Sequence, residues 1–195
     1  MNLFSYFSFT AAFIYLFIGV YALLRDYKGF VNRLFFVLTI IFALWALANS
    51  IGIAANNKEA AFAAYRRFSW VFFLFPAPLF HFSLRISQRV PKFKSRYIPF
   101  LYIPGILLYC STHMGLDIID TFNRTDYGFV IRYNRGTLLY FLNMAHYSLF
   151  LIASMAVYIH WYRQSITIRE KKQAYIIILT FCVSFVLSTI FGTIL

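Results

Sequence analysis

The sequence is poor in charged residues, and above all in acidic ones. Only 12% of its 195 residues are charged, and only 6 are Asp or Glu. A soluble domain normally has about 25% charged and about 45–50% apolar residues, whereas this chain is 62% hydrophobic and 22% aromatic. A core of this size could not hide so much apolar surface, so the sequence predicts an integral membrane protein whose main partner is the lipid bilayer.

Cysteines and catalytic motifs are equally scarce. The two cysteines, Cys110 and Cys182, lie inside apolar runs and have no C-x-x-C spacing. We interpret them as small buried hydrophobic residues rather than as disulfide partners or metal ligands. The sequence also has no Walker loop, no G-x-S-x-G and no H-E-x-x-H motif. We therefore predict no enzyme activity, cofactor or metal for this chain.

Long apolar runs, by contrast, are abundant. Each is long enough to cross a hydrocarbon core about 30 Å thick, which needs roughly 17–25 helical residues. The predicted spans are 3–24, 34–55, 68–84, 97–116, 136–162 and 173–195. The runs are continuously apolar rather than alternating, which favours helices over barrel strands. The fold predicted for 1–195 is one membrane-embedded domain, an all-α polytopic bundle of six spans.

The basic residues are unevenly distributed between the connections. The formal net charge is +12, and twelve of the 18 Lys and Arg residues follow the first, third and fifth runs, against six on the other side. The positive-inside rule then places the N-terminus outside. Because these residues sit in short loops, no soluble segment is long enough to build a nucleic-acid groove, and we predict no nucleic-acid partner.

The longest loop and the chain end carry two further expectations. The loop 117–135, predicted to lie outside, contains the strand-like "YGFVIRY" followed by the turn signal "NRG", which indicates a small hairpin or lid. The last run is still apolar at Leu195. We expect the chain to be a fragment that at least one more span follows.

Polar residues in the fifth span form a candidate ligand pocket. Asn143 and His146 are three apart and share a helix face, and Tyr140 and Tyr147 flank them. An unpaired amide or imidazole is costly in lipid, so this face should point into the bundle. It is either the polar wall of a pocket or a set of hydrogen bonds between helices. Both interpretations stay open.

Aromatic and amide residues of two other spans complete that candidate pocket. Asn49 and Ser50 lie near the outer end of the second span, one turn beyond Trp45, and Arg66, Arg67 and Trp70 lie near the outer end of the third. Together they would form a mouth for an anionic or amphipathic ligand. The alternative is ordinary anchoring at the membrane interface, where Trp residues are common.

Two prolines mark a candidate hinge in the third span. Pro76 and Pro78 lack backbone donors and clash with preceding carbonyls, so a kink is expected near the middle of the span. His81 lies a turn further on, four residues before Arg85 on the same face. The kink is either static or a hinge that transmits a movement.

Several stretches resemble a known family. "NRLFFVLTIIFALWAL", "RRFSWVFFLFPAPLFHFSLRIS", "YGFVIRYNRGTLLYFLNMAHY" and "REKKQAYIIIL" look like the N-terminal seven-helix sensor region of bacterial histidine kinases, over nearly the whole chain. The resemblance implies a multi-pass protein of the inner membrane, with a seventh helix and a cytoplasmic output domain, usually a kinase and sometimes a diguanylate cyclase. It also implies a homodimer through that missing domain.

The resulting hypothesis is a sensor that detects an extracellular or membrane-borne signal, such as a hydrophobic or amphipathic small molecule. The alternative is a small transporter or channel. A proton-coupled transporter usually needs a carboxylate within the membrane, and none of the six runs contains Asp or Glu. A structural membrane protein without a ligand is the third interpretation.

Overall fold

The computed structural model describes residues 3–87, 95–114, 118–126 and 128–194, with side chains described up to 183, except that of residue 95. The part of the chain that the structure describes is mostly helical, at 80%. The α-helices are α1 (Leu3–Arg25), α2 (Phe30–Ala54), α3 (Lys58–Leu74), α4 (Pro76–Ile86), α5 (Ile103–His113), α6 (Leu138–Gln164) and α7 (Ile168–Ile194). A 3-10 helix covers Ser95–Leu101, and the strands are β1 (Ile119–Thr125) and β2 (Gly128–Tyr133).

Within these described ranges, four helical segments are long and apolar enough to cross a membrane. They are Leu3–Arg25, Phe30–Ala54, Lys58–Ile86 and Leu138–Gln164. They overlap the first, second, third and fifth predicted spans. Residues 173–194 of the sixth predicted span, 173–195, fall within α7, and their side chains from 184 onward lie outside the description.

Helices α1 and α2 pack through small residues. The buried residues of α1 are Ser5, Ala12 and Gly19, spaced seven apart. Small side chains let two helix backbones approach closely, which is the usual basis of helix association in lipid. Most of the large apolar side chains of α1 are exposed, as expected of a surface that faces lipid.

The third span begins ten residues before the predicted start at 68. Asn57 caps α3, its side chain accepting a hydrogen bond of 2.8 Å from the backbone N–H of Ala60. The first turns of α3 are rich in charge, so hydropathy alone does not detect them. The span divides at Phe75, and Pro76 opens α4. Phe75 keeps helical dihedral angles, and its N–H still bonds to the Val71 carbonyl oxygen at 3.0 Å.

The central core lies between α2 and the α3–α4 segment. Its buried residues are Leu34, Leu38 and Ile41 of α2, and Val71, Phe75, Leu79 and Phe82 from 71–82. Phe75, at the division between α3 and α4, is therefore part of the core rather than of a loop.

The fourth predicted span, 97–116, differs from the continuous α-helix expected. It consists of the 3-10 helix, which contains Pro99, followed by α5, which has Pro104 in its first turn. Proline lacks the N–H that an uninterrupted helix would need at these places. The two pieces have 7 and 11 residues, and at about 2.0 and 1.5 Å per residue they would together advance about 30 Å if collinear.

The prediction that both cysteines are buried is wrong. Cys110 and Cys182 are free and exposed on the surfaces of α5 and α7. An apolar run in a membrane protein has one face toward the protein and another toward lipid. Position in such a run therefore does not imply burial.

Strands β1 and β2 form an antiparallel hairpin within 117–135. Ile119 and Phe122 of β1 are buried against Ala61 of α3. Gly128 has a φ of 116° and lies against the backbone carbonyl of Ile53 in α2. The hairpin is thus seated on the ends of α2 and α3, and we call this side of the molecule the hairpin end.

Candidate functional site

A cavity of about 150 Å³ lies between the hairpin and helices α2, α3 and α6. Its lining is largely aromatic or aliphatic and contains no charged side chain. The lining residues are Trp45, Tyr65, Phe72, Phe73, Ile118, Ile131, Tyr133, Asn143, Met144 and Tyr147.

Aromatic rings form its walls in edge-to-face contacts. The Trp45 ring centroid is 5.1 Å from that of Phe72 and 6.4 Å from that of Tyr147. Tyr65 stacks on Phe72 at 6.0 Å. Such contacts orient each ring and favour aromatic partners in the same geometry.

Asn143 provides an amide in the cavity wall. Helix α6 starts at a Thr137 cap, whose side chain accepts a hydrogen bond from the Tyr140 N–H at 3.2 Å, and Asn143 follows in its second turn. No described residue hydrogen-bonds to the Asn143 side chain. Asn143 is half-buried, and its amide is available to a partner inside the cavity.

The hairpin covers the cavity. Ile131 and Tyr133 of β2 both line it, because residues two apart in a strand face the same side. Desolvation raises the pKa of Tyr133 above its ordinary value, with a smaller contribution from the neighbouring Tyr140. Its phenol is therefore neutral at physiological pH, and the lid side of the cavity stays uncharged.

Three of the seven predicted pocket residues line this cavity: Trp45, Asn143 and Tyr147. Tyr140 packs beside it, against the cluster of Phe73, Leu108 and Ile118. Asn49 and Trp70 are not among the lining residues, and Trp70 packs on the central core instead.

His146 also lies outside the lining. It is 6% exposed, and neither ring nitrogen has a hydrogen-bond partner within the described part of the chain. Its ring faces Phe150 at 4.8 Å between centroids. It shares a helix face with Asn143, as the sequence predicts, but it contacts an aromatic ring rather than the cavity.

The predicted hinge residues Pro76, Pro78 and His81 are all buried. His81 Nδ1 is 3.1 Å from the Tyr102 hydroxyl, and Arg85 Nε donates to His81 Nε2 at 3.5 Å. These contacts tie the end of α4 to the start of α5, away from the hairpin end.

Sequence reasoning missed most of the apolar lining. Tyr65 and Phe72 are seven apart on α3 and share a face, and the alternation of Ile131 and Tyr133 in "YGFVIRY" was a second available signal. Nothing in the described residues groups three or more His, Cys, Asp or Glu side chains that could hold a metal.

A family model described as the N-terminal 7TM region of histidine kinase matches residues 7–194. The chain belongs to this family. As a 7TM region, it corresponds to the sensor part of such a kinase and not to the catalytic kinase domain. The family and the apolar helices together make it a membrane protein of signal transduction. No significant match was found among curated proteins or among solved structures.

Proposed function

We propose that this chain is the signal-detecting module of a bacterial sensor kinase and that its signal enters the cavity beneath the hairpin. The observation that carries the proposal is the uncharged cavity itself, bordered by three helices and the hairpin. A hydrophobic or amphipathic molecule suits such a lining. The output domain, through which the receptor would dimerise, lies beyond this chain.

The proposed topology has six spans in the inner membrane, with the N-terminus and the hairpin outside. It is supported by the excess of Lys and Arg in the connections at the opposite end from the hairpin. The cavity would then lie near the outer face of the membrane, where an extracellular or membrane-dissolved signal arrives.

The proposed relay runs through Phe75. Its ring lies 5.3 Å from that of Trp45 and 5.5 Å from that of Tyr147, both cavity-lining residues. Phe75 also immediately precedes Pro76, where α4 begins. A ligand that favours one arrangement of Trp45 and Tyr147 would therefore shift α4, whose far end is held by the His81–Tyr102 contact.

Reporter fusions test the topology. Fusions of a periplasm-active reporter after residues 57 and 127 should be active, and fusions after 28 and 166 should be inactive. The opposite pattern, or activity at all four sites, would overturn the six-span arrangement.

Autophosphorylation of the whole gene product in liposomes tests the relay. Replacing Pro76 and Pro78 with Ala restores backbone donors at the division and should change kinase activity at least several-fold. The matched control is Pro104→Ala, a change of the same kind in the first turn of α5, which carries none of the residues of the proposed relay. Unchanged activity in the Pro76/Pro78 variant would exclude a hinge there.

A further inference from the structure

We infer that the cavity binds a neutral molecule with a single ring and one hydrogen-bonding group, held with the ring against Trp45 and Phe72 and the polar group toward Asn143. This inference rests on the proposed function, since it names the ligand class of the same cavity. A substituted phenol is the simplest member of the class.

The size of the cavity sets the number of rings. Its volume is about 150 Å³, and an engineered apolar cavity of about that volume in another protein accommodates one benzene molecule. A fused two-ring molecule would either extend out of this volume or displace the aromatic walls. Trp45 contacts both Phe72 and Tyr147 edge-to-face, and tightly packed interiors resist such displacement.

The walls set the charge and the shape of the ligand. No lining side chain is charged, and a buried ion without a partner would be strongly unfavourable. The ring faces of Trp45 and Phe72 favour a flat ring, which can join their edge-to-face arrangement. A neutral aromatic ring therefore suits the cavity better than a charged or a branched aliphatic group.

Asn143 sets the polar group. Its amide has both donors and an acceptor, and no described residue hydrogen-bonds to it. An acyl chain in the cavity would leave this amide unpaired, and a water molecule would leave the aromatic walls without contact. A ring that carries a hydroxyl group contacts the aromatic walls and also hydrogen-bonds to the Asn143 amide.

Fluorescence of a single tryptophan measures binding directly. The protein has three Trp residues, and Trp70→Phe with Trp161→Phe leaves only Trp45, in the cavity wall. This background is reconstituted into phosphatidylcholine nanodiscs and titrated with phenol, benzene, 2-naphthol and benzoate, and empty nanodiscs correct for partition into lipid. Phenol should bind at least tenfold more tightly than each of the other three probes.

Two substitutions locate the polar contact. Asn143→Leu has a similar volume but no amide, and it should bring phenol and benzene within threefold of each other. The matched control is Asn49→Leu, which removes an amide from α2 outside the lining and should keep the tenfold difference. If Asn143→Leu does not fold, Ile131→Phe fills the cavity from the hairpin and should weaken phenol binding at least tenfold.

Equal affinities for phenol and benzene in the starting protein would overturn the inference, as would tight binding of 2-naphthol. The inference would also be overturned if Asn143→Leu still bound phenol tenfold more tightly than benzene, or if Ile131→Phe bound phenol as tightly as the starting protein. Autophosphorylation of the whole gene product separates the two proposals. Phenol binding without any kinase response would leave the ligand class standing and remove the sensor function. A kinase response to another stimulus, without binding of any probe, would leave the sensor function standing and remove the ligand class.

Discussion

Ser5 and Ser50 hydrogen-bond to each other's backbone across the interface of α1 and α2. The Ser5 hydroxyl donates to the Ser50 carbonyl oxygen at 3.0 Å, and the Ser50 hydroxyl donates to the Ser5 carbonyl oxygen at 2.9 Å. Both residues are buried. This reciprocal pair fixes the register of the two helices at the hairpin end.

Replacing Ser50 with Ala should therefore destabilise the protein by about 1 kcal/mol, a typical value for hydrogen bonds between membrane helices. Reversible unfolding in mixed micelles measures the change. Ser8→Ala is the control, because Ser8 lies on α1, the helix of Ser5, and is not one of its buried residues. Combining Ser5→Ala with Ser50→Ala should cost less than the sum of the two single changes. Strict additivity would show that the pair is not coupled.

Gly19 of α1 lies directly against the Thr39 side chain of α2. A Cβ added there would overlap the Thr39 hydroxyl and lie 3.0 Å from the Thr39 Cβ. We expect Gly19→Ala to destabilise the protein by about 1–3 kcal/mol through overpacking, measured by the same unfolding transition.

Gly52→Ala is the matched control for that change. Gly52 is also a helical glycine, but a Cβ there would meet nothing within 4 Å. Because Ala is about 1 kcal/mol better than Gly in a helix, this variant should be as stable as the original or more so. Equal losses in the two variants would show that steric overlap with Thr39 is not the cause.

His146 and His81 form a contrasting pair of buried imidazoles. His146 has no described hydrogen-bond partner, whereas His81 contacts Tyr102 and Arg85. Removing an unsatisfied buried polar group is neutral or favourable, whereas removing a bonded one leaves its partners unpaired. We expect His146→Leu to change the free energy of unfolding by less than about 1 kcal/mol, and His81→Leu to lower it by about 2 kcal/mol or more. A large loss in His146→Leu would mean that His146 is bonded in the membrane.

Gly128 connects the hairpin to the helices. Its φ of 116° is unfavourable for other residues, and a Cβ would collide with the Ile53 carbonyl. Gly128→Ala should loosen the hairpin and speed amide hydrogen exchange in β1 and β2, with little change in α6. Gly136→Ala is the control, because its nearest new contact would be an ordinary one at 3.8 Å. Identical exchange in both variants would contradict the role assigned to Gly128.

The helices were predictable because lipid imposes a simple requirement. A span must be apolar over its length, so the hydropathy of 3–24 or 136–162 nearly fixes those helices. The break in the third span was also predictable, because Pro76 cannot donate to the helical ladder. The early start of α3 at Lys58 was not predictable, because the first turns of this helix are charged and depend on the Asn57 cap rather than on hydropathy.

The candidate site was predictable only in part, because it combines distant segments. Asn143 and Tyr147 could be predicted because they lie on the polar face of one helix. Trp45 could be predicted because it is aromatic. The lid residues Ile118 and Ile131 meet these helices only through the seating of the hairpin on α2 and α3. The orientation of His146 depends on small rotations of α6 that helical periodicity does not determine.

The pairing of α1 with α2 has a consequence for the order of assembly. The two helices are joined by only four residues, 26–29, and the buried side of α1 is completed largely by α2. N-terminal elements emerge first during synthesis, so this pair can close in the membrane while the remaining helices are still unmade. Defects at Ser50 or Gly19 should therefore appear first as a low yield of the folded protein.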